Sequence, residues 1–284
     1  MGALQKLRSS LRTPAKVAQA VLRWKRISFD EAPPIFANSK PKSGSHLLLQ
    51  VMQGLCMVAP YTYVVEAPIR SVKASGGRID EADIANALRA TPKGAIGWGY
   101  VDATSANTQV LCQSGRINYF IYRDPRDMLV SHVHYATSMH MGHGMNELYN
   151  RLPDLNARLK VAITGIDQDG LFMVNVAKRY EGVFQWLQQP HTLCLRFEDM
   201  INDQQRSLES ILDEFGKAGY TIPTPRDQAI EILRDAIQPT RSHTFRSGKA
   251  GGWRDTFTAE HKDLFKQVAG DLLIRLGYEK NNDW

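Results

Sequence analysis

Ile35-Phe36-Ala37-Asn38-Ser39-Lys40-Pro41-Lys42-Ser43-Gly44-Ser45-His46-Leu47-Leu48-Leu49-Gln50-Val51-Met52 is the stretch on which the fold turns. Ile35 to Ser39 predicts a short strand, Lys40 to Ser45 a tight loop with one glycine, and Leu47 to Met52 a mostly buried helix. In a loop at such a handover the backbone N–H groups converge on an anion, and the helix dipole adds positive potential. Lys42 supplies a mobile charge for a phosphate or a leaving oxygen, and Gly44 lets the backbone come close. The order of residues is not a Walker A sequence, which places its Lys after the second Gly. An ordinary strand-to-helix turn with an exposed lysine would read the same way in isolation.

The same strand, loop and helix pattern returns twice downstream. Ile117-Asn118-Tyr119-Phe120-Ile121-Tyr122 is rich in β-branched and aromatic residues and precedes Arg123-Asp124-Pro125-Arg126-Asp127 and a helical stretch from Met128 to Tyr135. Thr192 to Phe197 predicts a third strand, followed by Glu198-Asp199 and a helix from Gln205 to Lys217. Strands alternating with helices predict an α/β fold: a parallel sheet flanked by helices on both sides, in a single domain, with ligands at the carboxyl ends of the strands. Ile79 to Ala90, Gly170 to Leu187, Pro225 to Ile237 and Ala259 to Leu276 carry apolar residues at helical spacing and are expected to cover the sheet. Between Gly142 and Gly170 the loop content is high, as in a stretch that shapes a substrate site.

Bulk composition narrows the function classes. The 284 residues are 43% hydrophobic, enough to bury a substantial core, and carry a formal charge of +6, so the surface attracts anions. The basic residues fall in separated loops rather than along one helix, which argues against a nucleic-acid binder. Cys56, Cys112 and Cys194 stand far apart without a Cys/His cluster, so neither a metal site nor a disulfide scaffold is expected, and a reducing, cytoplasmic setting fits. No run of about 18 apolar residues or compact signal-like stretch occurs, so no stable membrane insertion is expected. Residues 1–29 hold seven Lys or Arg and no acid before Asp30, and read as a basic N-terminal arm before a domain over 30–284.

Two further motifs suit phosphate. Arg123 to Asp127 puts arginines at a strand end, with Ser131 about two helical turns on. A surface ion-pair cluster is the plainer account of it. Phe245-Arg246-Ser247-Gly248-Lys249-Ala250-Gly251-Gly252-Trp253-Arg254 is a glycine-rich basic loop suited to cover an anion, or simply a solvated turn.

In this order the three segments resemble the cytosolic-type sulfotransferases that use 3′-phosphoadenosine 5′-phosphosulfate (PAPS) and release the bisphosphate PAP, in a bacterial-looking branch acting on small molecules. Pro41 to His46 is similar to the family's PKSGTTW loop, Arg123 to Ser131 to its RxPxD…S element, and Phe245 to Arg254 to its late RKGxxGDWK segment. The resemblance spans roughly residues 35–278 and implies a P-loop-like fold. It implies that Lys42 meets the leaving phosphate and that Ser43, Gly44, Ser45 and His46 line the 5′ side. Arg123 and Ser131 would bind the 3′-phosphate, and Arg246, Ser247 and Gly248 would close over it. Phe197 stands where the family often has Tyr near the adenine.

The departures concern chemistry. His46 and Leu47 replace the second Thr and the Trp of the loop motif, and Arg254 stands where Lys is usual. The family's acceptor base is a His some twenty residues before the 3′-phosphate Arg, yet no His lies between His46 and His132. In the matching segment Gly97 to Thr104, Tyr100 or Asp102 takes that place, and a carboxylate is the better base near neutrality. His46 is a rival, and simple packing of both residues in a loop is the bland alternative. The expected reaction is sulfuryl transfer to a hydroxyl or nitrogen of a small molecule, for instance a secondary metabolite. A catalytically impaired nucleotide-binding module, or a small-molecule P-loop kinase, is the alternative. Acceptor identity and the question of a homodimer stay open.

Overall fold

The computed structural model describes residues 3–73, 77–168, 170–241 and 248–284, with side chains from 14 onward. In chain order the elements are α1 (Ala3–Trp24), β1 (Ile35–Ser39), α2 (Ser45–Val58), β2 (Tyr63–Val64), β3 (Ile69–Arg70), α3 (Glu81–Arg89), β4 (Ala95–Tyr100), α4 (Ser105–Leu111), β5 (Ile117–Tyr122) and α5 (Pro125–His134). A π-helical turn, Tyr135–Met139, extends α5. There follow α6 (Asn146–Arg151), α7 (Leu155–Thr164), β6 (Ile166–Gln168), β7 (Leu171–Met173), α8 (Val176–Leu187), β8 (Leu193–Arg196), α9 (Phe197–Asn202), α10 (Gln204–Lys217), α11 (Arg226–Ala236), α12 (Ala259–Ala269) and α13 (Leu272–Arg275).

The central sheet runs β2-β4-β1-β5-β8, every pairing in it is parallel, and β3 joins β4 beyond the end of β2. The expected α/β architecture is therefore the observed one. Alternation along the strands builds two cores, because successive side chains point to opposite faces. Ile35, Ala37, Tyr119 and Ile121 pack with α2, α10 and α11. Phe36, Phe120 and Tyr122 pack on the other face with α5, α7, α8 and α12. With both faces covered, β5 is buried at all six positions, which is why it reads as an unbroken apolar run.

Several boundaries differ from the sequence expectation. Gly170 to Leu187 is not one helix: Leu171–Met173 pairs antiparallel with Ile166–Gln168, and α8 begins only after Asn175 caps it, its side chain accepting the Lys178 N–H. The stretch from Gly142 to Gly170 is largely helical, in α6 and α7, and of its described residues only His143 lines the main cavity. Ala259 to Leu276 is broken at Gly270, whose φ of 55° ends α12. Phe197 opens α9 instead of closing β8. Residues Ala3–Trp24 form a helix through Pro14; Ala20 is buried, and Lys16 pairs with Glu66 at 3.7 Å. Among the described residues no helix is long and apolar enough to cross a membrane.

Candidate functional site

The chain leaves β1 for strands on one side of it and leaves β5 for β8 on the other, so a crevice opens at the carboxyl ends of these neighbours. A cavity of about 930 Å³ lies there, at the upper end of the range of about 300–1,000 Å³ usual for ligand sites. Lys42, Gly44, Ser45, His46, Tyr100, Asp102, Arg123, Ser131, Phe197 and Gly248 all line it. Ser43 stands in the same loop, fully buried, with an Oγ that has no hydrogen-bond partner among the described residues. Arg246 and Ser247 lie outside the described residues.

The loop after β1 is a turn of unusual backbone. Lys42 has φ of 66° and Gly44 φ of 100°, and the Ser43 N–H donates to the Lys40 carbonyl at 3.1 Å. A Cβ on Gly44 would lie 2.7 Å from Phe197 and 3.0 Å from Ile121. Close approach is thus needed, as expected, but toward the Phe197 ring. No side chain caps α2, so its first N–H groups lack an intrahelical acceptor and face the end of the helix where anions are favoured. The Ser39 hydroxyl donates to Ser45 Oγ at 2.8 Å, fixing that hydroxyl beneath the loop.

Lys42 Nζ rests 3.8 Å from the Tyr135 ring centroid. Burial, and then the charge of Arg123, pushes the Lys42 ammonium down to about 8. Arg123 stacks on Phe197 at 4.2 Å and donates from Nη2 to the Lys249 carbonyl at 3.0 Å, while its buried Nε has no partner among the described residues. Phe197 is only 6% exposed, so its ring serves the loop and Arg123 more than it offers an open aromatic face. An uncapped helix start and an orphaned guanidinium N–H at one crevice are donors of the kind that suits a phosphate-bearing ligand.

The Arg123 to Asp127 motif divides in two. Arg126 is 1% exposed, which corrects the surface ion-pair reading. Its Nη2 meets Asp124 at 2.7 Å, its Nη1 meets Glu279 at 2.6 Å, and Trp253 and Trp284 stack on it at 3.8 and 4.5 Å. Asp127 accepts the N–H groups of Gly251 and Trp253 at 2.7 and 2.8 Å and so ties down the glycine-rich segment. Only Arg123 and Ser131 are left to the cavity.

On the β4 side, buried Asn38 sets the geometry. Its Nδ2 donates to the Val101 carbonyl and its Oδ1 accepts the Val101 N–H, both at 2.9 Å, which holds the Tyr100 to Asp102 segment beside β1. Asp102 pairs with Arg78 at 3.0 Å. Tyr100 lies edge-on to Trp98 and under Arg70.

Sequence reasoning missed Lys40, Tyr135, His140 and His143, all of which line the cavity. Burial, followed by the charge of Arg179, pushes the Lys40 ammonium down to about 8, against an upward pull from Asp102. His143 is lowered by burial and by its neighbours His140, Arg179 and Lys42. Its Nδ1 accepts the Met145 N–H at 3.1 Å, which leaves the proton of the neutral ring on Nε2. Lys40 adjoins the loop motif and was open to detection; the histidines, a full helix away in sequence, carried no local signal.

Solved structures share this architecture. A mouse sulfotransferase complexed with PAP is 20% identical over 88% of this chain and 92% of its own, with a TM-score of 0.54. A retinol dehydratase in complex with androsterone and inactive cofactor PAP is 15% identical over 84% of this chain and 80% of its own, with a TM-score of 0.57. At such identities the likeness is one of fold. The sulfotransferase domain model, in contrast, matches the sequence itself over residues 118–277, from β5 through Arg123 and Ser131 to the end of α13. Because that span is more than half of the chain, the protein belongs to the sulfotransferase domain family.

Proposed function

We propose that the protein transfers a sulfuryl group from PAPS to a hydroxyl or nitrogen of a small molecule. The observation that carries this reading is the convergence of the uncapped α2 start, Lys42 and the partly unpaired Arg123 on one crevice large enough for a nucleotide and a second molecule. The similar solved structures named for their complexes with PAP support it. When bound, the donor supplies an activated sulfuryl group on a phosphate leaving group.

The residues then divide the work by position. The loop N–H groups, Ser43, Ser45 and His46 hold the 5′ side, and Lys42 neutralises charge as it grows on the leaving oxygen. Arg123 and Ser131, with Gly248 above them, hold the 3′-phosphate; Phe197 braces Arg123. Asp102 takes the proton of the acceptor, with Tyr100 as the other candidate, and alignment provides much of the rate. A thermal-shift panel of PAP, ATP, GTP and NAD tests the donor class: selective stabilisation by PAP is expected, and stabilisation by ATP alone would replace this reading with a kinase.

A further inference from the structure

The cavity wall on the β3 and β4 side is cationic beyond what a nucleotide donor needs. Lys40, Arg70 and Lys73 line it there, and the acid that lines it is Asp102. The Asp102 carboxylate is already matched by Arg78 at 3.0 Å. The Lys40 ammonium makes no hydrogen bond or ion pair with a described residue, and the nearby Arg179 guanidinium has only the Met173 sulfur, at 3.9 Å, as a described hydrogen-bond partner. Arg70 is held against Tyr100, 5.0 Å from its ring centroid. The donor-binding groups Lys42, Arg123 and the α2 start lie in the loop after β1 and at the end of β5, whereas Arg70 and Lys73 lie at and just after the end of β3, across β4; Lys40 heads the same loop as Lys42, but its ammonium feels the charges of Arg179 and Asp102 where that of Lys42 feels Arg123.

Resting on the sulfotransferase reading, we infer that the acceptor carries an oxyanion group, such as a carboxylate, which Lys40 receives while Arg70 and Lys73 add attraction at the same wall. The incoming charge supplies the partner that Lys40 lacks, in a crevice where desolvation strengthens the pair. An ammonium-bearing acceptor would meet Lys40, Arg70 and Lys73 with Asp102 already neutralised, so cationic amines are disfavoured. The low Lys40 pKa agrees: an isolated ammonium is uncomfortable there, and an anion beside it would restore its ordinary value.

The test uses three matched phenols, 4-hydroxyphenylacetate, its neutral amide and tyramine, at equal concentration on the full chain saturated with PAP. Thermal stabilisation and, with PAPS, kcat/KM are read. The acid should bind and react better than the amide by about tenfold or more, as one charge-assisted contact implies, and tyramine should be worst. Lys40→Met should collapse the ratio of acid to amide toward one, while Lys40→Arg retains most of it. Equal stabilisation by the three compounds overturns the inference, as does a preference that survives Lys40→Met. A loss of kcat common to all three would make Lys40 a base and overturn it too. Calorimetry with PAP on wild type and Lys40→Met separates the levels: failure of wild type to bind PAP defeats the donor reading, whereas intact PAP binding with no acid preference defeats the acceptor inference alone.

Discussion

Lys42 Nζ lies 3.8 Å from the centroid of the Tyr135 ring, so the cation at the centre of the loop is lodged on an aromatic face. The ring holds it in the crevice without neutralising it. Charge grows on the leaving oxygen only as the reaction proceeds, so Lys42→Ala should lower kcat more than it raises the donor KM. A loss of about 100-fold or more in kcat is expected from removal of one such charged contact. Steady-state kinetics decide it, and unchanged turnover with a raised KM would leave Lys42 a simple binding cation.

The titration of Lys40 and Lys42 gives a pH signature of definite sign. Both ammonium groups fall from 10.5 to about 8 on folding. Between these values the unfolded chain holds protons that the folded chain has released, so these two contributions make stability rise with pH across that window and are least favourable below about 8. Anion binding needs the ammonium form and runs the other way. PAP affinity should fall as pH rises through about 8, with proton uptake on binding, measured by calorimetry in buffers of differing ionisation enthalpy. A flat affinity from pH 7 to pH 9.5 would contradict it.

Arg123 presents a guanidinium whose Nε has no partner among the described residues, over the Phe197 ring. If it receives the 3′-phosphate, wild type should prefer PAP to AMP by about tenfold or more, the size of one charge-assisted contact. Arg123→Lys keeps the charge but loses the planar fork, so most of that preference should vanish. Equal affinities for PAP and AMP in wild type would remove Arg123 and Ser131 from this role.

Gly44→Ala tests the loop itself. The new methyl would meet Phe197 at 2.7 Å, and φ of 100° is hard for any residue with a Cβ. A stability loss of about 1–3 kcal/mol in denaturant unfolding is expected, with weaker PAP binding because Phe197 must shift under Arg123. Wild-type stability together with unchanged PAP affinity would show that the loop tolerates another path.

Asp102→Asn should reduce sulfuryl transfer by about 100-fold, the lower end of general-base contributions, and leave PAP affinity within about twofold. Full activity in this variant would remove Asp102 from the chemistry and turn attention to Tyr100 or His46. Arg78→Ala, which frees the carboxylate from its partner 3.0 Å away, should shift the pH dependence of kcat/KM if Asp102 is the base.

Local chemistry made the loop, the strands that precede it and the sheet class legible in sequence. Ile35 to His46 carries its own strand, turn and helix start, and the unbroken apolar run Ile117 to Tyr122 suits a strand in a sheet covered on both faces. The division of Arg123 from Arg126 could not be read that way. Both stand in one short motif, and only the approach of Glu279, Trp253 and Trp284 from the chain's end makes Arg126 a buried strut. The placement of Asp102 against Arg78 and the arrival of His140 and His143 at the cavity likewise depend on contacts between segments far apart in sequence. Strand and turn preferences act over a few neighbouring residues; burial and the pairing of charges are set by what the folded chain brings within a few ångströms.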